Sequence, residues 1–316
     1  MKRKICFRAD ANSQIGYGHF IRTLALADML KDDFECVFYT SDPSFYQIEE
    51  MKRVCSYVPL YENTKIEDFI AFLDGSEIVV LDNYFFTTDY QKVLKTKGCT
   101  LVCIDDMHDK HYVADVVINH GNVKPDVFDK EPYTRLCLGD QWKLLRRPFL
   151  IKPRNIKRNN TAVICLGGAD PCHLTDKLVS MALQVANQYH ILVILGDKTI
   201  LSEENRARVE VRRCLTAEQM AELFETSAFA ILPSSTVSIE AASRGVPMLI
   251  GFQADNQVEG YNKKADNGSF IPLGDLRQLD SRILGTTISK LDNFKPAVPD
   301  FSLVPQNYIH LFNSLC

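Results

Sequence analysis

The sequence predicts an α/β protein of two Rossmann-like domains facing across a cleft. Three observations carry this expectation. Short apolar runs alternate with helical stretches through both halves of the chain, the pattern of parallel sheets built from βαβ units. The chain has 316 residues, enough for two domains of ordinary size. Between the halves lies a segment, 143–160, with seven Lys or Arg, two prolines (Pro148 and Pro153) and no acid. It reads either as a solvated linker or as a basic strap facing an anionic ligand. The domains are placed at 1–147 and 158–292. Residues 293–316 form a tail that packs back on the first domain.

Each element follows from its residues. In the first half, the runs 4–7, 35–39, 78–81, 101–104 and 116–118 are short and apolar, as strands covered on both faces are. Helical patterns over 18–30, 66–73 and 90–97 follow several of them. In the second half, strands are expected at 162–166, 191–195, 229–232 and 247–250. Helices are expected at 174–188, 217–226 and 236–244. After the proline-bearing stretch 294–305, the residues 306–315 read as a short amphipathic helix. Ligands of open α/β sheets sit beyond the carboxyl ends of the strands, so the loops after strands hold the candidate residues.

Composition narrows the function classes. Hydrophobic residues make up 46% and charged residues 24%, and the net charge is −4. Nothing in that balance favours nucleic acid or an anionic membrane. Ten cysteines are present, without a C-x-x-C pair. Cys6, Cys36, Cys103, Cys137 and Cys165 lie in or beside apolar runs, where free cysteine acts as a small hydrophobe. A reduced, cytoplasmic setting is expected. The basic N-terminus precedes an apolar run too short for a signal peptide. No stretch nears the roughly 20 apolar residues of a membrane span. No acid or histidine cluster has metal-site spacing; Asp105-Asp106 reads as a loop turn. No cofactor is expected, and the chain is expected to be a monomer or weak homodimer.

The first strand runs into Arg8-Ala9-Asp10, then a loop bearing Gly16 and Gly18, then His19 at a helix start. Two glycines allow backbone to pass close to a ligand. The helix dipole disfavours imidazolium there, so His19 reads as a neutral ring able to take a proton, or as a helix cap. Asp10 reads as support for that histidine or as a strand-end residue bonding loop amides. Arg22, one turn beyond His19, is a structural or ligand-binding cation. In the second half, Gly167-Gly168 precede a helix and offer bare amides to a phosphate. Asp170 caps that helix or touches the ligand. Ser235 and Thr236 stand at another helix start. Glu240, one turn later on the same face, suits the two hydroxyls of a ribose or is a solvated acid. Asn256 and Gln257 suit sugar hydroxyls or belong to a plain polar loop.

Taken together these loops resemble a known family. The stretch R-A-D-A-N-S-Q-I-G-Y-G-H-F-I-R-T-L-A-L-A at 8–27 resembles the N-terminal signature of the PseG family, UDP-2,4-diacetamido-2,4,6-trideoxy-β-L-altropyranose hydrolases of pseudaminic acid biosynthesis. Further likenesses follow in order: L-D-N-Y at 81–84, I-D-D at 104–106, L-G-D-Q-W-K-L-L-R-R-P-F at 138–149, G-G-A-D at 167–170, S-S-T-V-S-I-E at 234–240 and A-D-N-Q at 254–257. The likeness spans roughly 4–260. Asp82-Asn83-Tyr84 departs from the family's D-H-Y or D-x-Y stretch, and Asn119-His120-Gly121 from its usual segment.

The resemblance implies a GT-B fold related to the glycosyltransferase MurG. It implies His19 as the base that activates water and Tyr84 as a residue of the first-domain catalytic site. It assigns Gly168, Ser235, Thr236, Glu240, Asn256 and Gln257 to UDP and its sugar. The expected reaction is inverting hydrolysis at the anomeric carbon without a protein-bound metal. Arg8, Arg22 or Lys143 would add positive charge near the diphosphate. A glycosyltransferase using the same donor, a hydrolysing UDP-sugar 2-epimerase and a non-catalytic nucleotide-sugar sensor are the rival readings.

Overall fold

The structure of the chain, a computed structural model, describes residues 2–12, 16–121, 123–168, 170, 172–196, 199–266 and 268–316. They form two compact units. One comprises Met1–Asn12, Gly18–Leu150 and Phe301–Cys316; the other comprises Ile151–Asp300 with the described part of 13–17.

The first unit holds β1 (Lys4–Arg8), α1 (Gly18–Leu30), β2 (Glu35–Ser41), α2 (Phe45–Val54), β3 (Ser56–Leu60), α3 (Lys65–Ala71), β4 (Ile78–Leu81), α4 (Thr88–Lys97), β5 (Thr100–Ile104), β6 (Val116–Asn119) and β7 (Arg135–Leu138). Among the described residues these strands make one sheet in the order β3-β2-β1-β4-β5-β6-β7. Every pairing is parallel. Strands β4 and β6 are buried at every position, which is why their sequences read as unbroken apolar runs. The strand order turns back between β1 and β4, which sets the switch point of this sheet.

The second unit holds β8 (Thr161–Ile164), α5 (Thr175–Val185), β9 (His190–Leu195), α6 (Glu203–Arg206), β10 (Glu210–Arg213), α7 (Ala217–Thr226), β11 (Phe229–Pro233), α8 (Thr236–Ser243), β12 (Met248–Phe252), α9 (Val258–Asp266), β13 (Ile271–Asp275) and α10 (Ser281–Ile288). Its sheet runs β10-β9-β8-β11-β12-β13, all parallel, with the switch point between β8 and β11. A core that includes Ile164, Val179, Val193, Ile231 and Leu249 fills the space between this sheet and its helices.

The chain then returns to the first unit as α11 (Val304–Asn313). This helix packs on α1, which is why α1 buries residues nearly all round. Tyr308 is fully buried and donates its hydroxyl to Trp142 O at 2.6 Å. Phe312 meets Phe34 edge-on, with ring centroids 6.2 Å apart.

Segment 143–160 divides at the unit boundary: 143–150 is largely buried, while 151–160 is mostly exposed, as a solvated linker is. Leu144, Leu145, Phe149 and Leu150 are buried, and the unit boundary follows Leu150. Two of its cations are committed inside the second unit. Arg154 pairs with Glu225 at 3.0 Å. Arg158 donates to five backbone carbonyls, those of Phe224, Glu225, Ser227, Arg244 and Gly245. Among the described residues, no helix is long and apolar enough to cross a membrane.

Candidate active site

His19 is placed by the β1–α1 connection. Gly16 has φ +77°, a backbone conformation that L side chains rarely adopt, and it lets the chain turn into the helix. Gly18 opens α1, and His19 follows in the first turn with 6% of its surface exposed. Its Nδ1 lies 2.7 Å from Asp82 Oδ1. Asp82 directly follows β4, the strand beside β1, so the pair forms at the switch point of the sheet.

Asp82 is fully buried and densely held. Arg22 donates Nε to Oδ2 at 2.7 Å and Nη2 to Oδ1 at 2.6 Å, and Thr23 Oγ1 donates to Oδ2 at 2.7 Å. His19, Arg22 and Thr23 share one face of α1 through their three- and four-residue spacing. Burial alone would raise the Asp82 pKa, but Arg22 and His19 outweigh it and hold it at about 2. A carboxylate only accepts hydrogen bonds, so Nδ1 of His19 carries the proton. In the neutral ring Nε2 is then the atom able to act as a base. The Arg22 Nη2 atom lies 3.1 Å from Nδ1 and directs one of its two hydrogens to Asp82; a protonated Nδ1 does not accept the other.

Arg22 reaches a second carboxylate. Its Nη1 donates to Asp106 Oδ2 at 2.9 Å, and the Tyr84 hydroxyl lies 3.3 Å from the same oxygen. Burial acts to raise the Asp106 pKa, but the charge of Arg22 prevails and lowers it. The Tyr84 ring stands edge-on to His19 with centroids 4.6 Å apart, and Tyr84 is 44% exposed. Lys110 Nζ donates to the carbonyls of Tyr84 and Phe86 at 3.2 and 3.4 Å, pinning that loop. A cavity of about 20 Å³, room for little more than a water, is lined by His19, Asp82, Tyr84, Asp106 and their neighbours.

Several expected roles move. Asp10 is described with Arg8, Ser41 N and Lys65 as its partners, not His19. Arg8 is wholly buried in that ion pair and lies over Phe86 at 5.7 Å. Burial works to raise the Asp10 pKa, and Arg8 overrides it to lower it. Lys143 pairs with Asp140 at 3.0 Å and donates to His120 O. The three cations expected near a diphosphate, Arg8, Arg22 and Lys143, are therefore each matched by a carboxylate of the first unit. Asp105 makes a loop turn by accepting from Met107 N and His108 N. Asp106 does more than turn the loop, because it carries one end of Arg22. Asp82 is the residue that the sequence reading left without a role, although it stands directly after a buried apolar strand.

In the second unit the three expected loops follow β8, β11 and β12, neighbours in the sheet. Gly167 has φ +89° and open space where a side chain would sit. Gly168 packs so tightly on Gly196 that a Cβ on Gly196 would come within 2.0 Å of the Gly168 carbonyl oxygen. Asp170 is buried and caps α5, accepting from Leu174 N and Thr175 N at 3.0 Å. Ser235 is the N-cap residue of α8, but its side chain makes no capping bond to that helix. Thr236 is the first residue of α8, and Glu240 is buried one turn along it. Gln257 Oε1 accepts from Gln253 N at 3.0 Å, and Gln253 Nε2 donates to Leu166 O at 3.2 Å. These bonds tie the β12 loop to the glycine loop. Asn256 lies in the short 3-10 turn Asp255–Gln257, and its side chain lies outside the described residues.

Comparisons with known proteins match this architecture. MurG of Acinetobacter baumannii superposes with a TM-score of 0.63 at 13% identity, covering 99% of each chain. The structure of TcCGT1 in complex with UDP superposes with a TM-score of 0.64 at 9% identity, covering 100% of this chain and 99% of that one. The fold is GT-B. No family model matches the chain. By sequence, the GT-B chain is similar to the UDP-2,4-diacetamido-2,4,6-trideoxy-β-L-altropyranose hydrolase of Campylobacter jejuni, 26% identical over 256 residues, with 75% of this chain and 87% of that one covered. It is also similar to the spore coat polysaccharide biosynthesis protein SpsG of Bacillus subtilis, 25% identical over 280 residues, covering 84% and 82%. An uncharacterized protein of Methanocaldococcus jannaschii is 25% identical over 296 residues, but this chain spans only 60% of its length.

Proposed function

We propose that the protein hydrolyses a UDP-linked deoxy-acetamido sugar, UDP-2,4-diacetamido-2,4,6-trideoxy-β-L-altrose or a close analogue, at the anomeric carbon. The released sugar would feed nonulosonic acid biosynthesis of the pseudaminic type. The observation that carries this reading is the His19–Asp82 pair, in which Nδ1–H faces the carboxylate and Nε2 is the nitrogen left to act as the base. Nε2 takes a proton from water as the water oxygen bonds to the anomeric carbon on the face opposite UDP. The bond from that carbon to the diphosphate oxygen breaks with both electrons, and UDP leaves. General-base help of this kind is worth about 10²–10⁴-fold. No metal-bound hydroxide is required when an imidazole supplies the base. The amides of Gly167 and Gly168 and the start of α8 at Ser235 and Thr236 are assigned to the diphosphate. Glu240, Asn256 and Gln257 are assigned to the ribose and the sugar. The proposed setting is the cytoplasm, with the protein a monomer or weak homodimer.

A glycosyltransferase reading is favoured by one observation, the full-length likeness to MurG and to other transferases. The two readings separate in one assay. UDP release from a panel of UDP-sugars is followed with no acceptor present. Hydrolysis that His19→Asn reduces by at least 10²-fold supports the hydrolase. Release that needs an added acceptor supports the transferase and ends the hydrolase reading.

A further inference from the structure

We infer that Asp82 and Asp106, joined by Arg22, are positioning residues for two groups at once: Asp82 holds His19 in its Nδ1–H form, and Asp106 holds the Tyr84 hydroxyl. The kinetic consequences rest on the hydrolase reading; the placement of the His19 proton does not.

The geometry is that of one cation shared by two acids. The guanidinium is planar, and its donors form a rigid fork. Nε and Nη2 of Arg22 are on Asp82, while Nη1 is on Asp106. Arg22 is 5% exposed, so a donor left without its acceptor there is costly and the fork would turn to find another. Asp106 has no described bond to His19, yet it anchors the cation that flanks Asp82. It also acts on Tyr84. A phenol has one hydrogen, and with that hydrogen donated to Asp106 the oxygen meets a ligand with lone pairs only. Tyr84 is then an acceptor for an N–H or O–H of the sugar, or for the attacking water. The perpendicular contact of its ring with His19, centroids 4.6 Å apart, keeps that side chain beside the base. Asp82, by contrast, has its oxygens taken up by His19, Arg22 and Thr23. It acts through His19 alone.

Ring ¹⁵N chemical shifts of His19 report which nitrogen carries the proton. In the unmodified protein Nδ1 is protonated and Nε2 bare. In Asp82→Asn the amide can present N–H to Nδ1, and the ring proton moves to Nε2. Acceptor-free UDP release should then fall by about 10²–10⁴-fold in kcat, with KM within a few-fold. Asp106→Asn keeps the ring proton on Nδ1 and lowers kcat about 10- to 100-fold. That loss shrinks to about a few-fold in a Tyr84→Phe background, because the part that runs through the Tyr84 hydroxyl is already gone and only the anchoring of Arg22 remains. A His19 proton that stays on Nδ1 in Asp82→Asn overturns the role of Asp82. Losses that multiply in the Asp106→Asn, Tyr84→Phe double variant overturn the role of Asp106. If Asp82→Asn does not fold, the partly exposed Asp106 pair still decides the second claim. A folded protein that turns over no UDP-sugar ends the hydrolase reading, while the ring-nitrogen shifts still decide the first.

Discussion

Asp82 carries a full charge inside the first unit, and its surroundings determine how that charge behaves in acid. Its pKa lies at about 2 in the folded chain against an ordinary value of 3.8, despite burial, because of Arg22 and His19. A depressed carboxyl stabilises the fold above its unfolded value, and the contribution is lost as pH falls from about 4 through 2. The difference corresponds to about 2 kcal/mol. Denaturant unfolding of the native protein should therefore weaken between these pH values, and Asp82→Asn should remove that part of the slope. An unchanged acid limb in the variant would locate the sensitivity elsewhere. The same residue shows why the histidine's partner was hard to read. Asp10 is close to His19 along the chain and stands at the end of the preceding strand. The partner is instead 63 residues away, because β4 and not β2 supplies the loop beside the His19 turn. The doubly wound strand order contains that information, whereas the local sequence does not. The G-x-G-H stretch singled out His19 and the family resemblance singled out Tyr84, and the structure places the two ring centroids 4.6 Å apart. The pairing of Arg8 and Arg22 with buried acids was not, since a cation's partner is set by tertiary distance.

At the scale of single elements, the helices α1 and α7 stand where periodicity placed them. Strands were legible only in part, and the misses share a cause. Strands β3, β7, β10 and β13 went unread, and they are the four edges of the two sheets. An edge strand is covered on fewer sides and keeps polar residues, as in Ser-Tyr-Val-Pro-Leu of β3 and Glu-Val-Arg-Arg of β10. Central strands, covered on both faces, cannot carry that disguise. Helix α7 owes its sharp start to a capping box: Thr216 Oγ1 accepts from Gln219 N at 3.3 Å, and Gln219 Oε1 accepts from Thr216 N at 2.9 Å. Thr216→Ala should cost about 1 kcal/mol in a denaturant titration and leave UDP release unchanged. A loss of activity at full stability would assign Thr216 a role that no contact here explains.

For the whole molecule, the decisive feature is the return of α11 to the first unit. Tyr308, Leu311 and Phe312 are buried there against α1 and its surroundings. Burial of three such side chains is worth about 5–9 kcal/mol, comparable with the entire stability of an ordinary domain. A chain ending at residue 300 should therefore lose cooperative unfolding of the first unit while keeping that of the second. Calorimetry of the shortened chain checks this, and two intact transitions would contradict it. The second unit has its own core, and a surface ion pair between Lys152 and Asp300, 3.0 Å, joins the two places where the chain enters and leaves it. It is an insertion in the sequence of its neighbour. During synthesis the inserted unit can therefore close on its own core before its neighbour, whose α1 surface stays uncovered until residues 304–313 have been made.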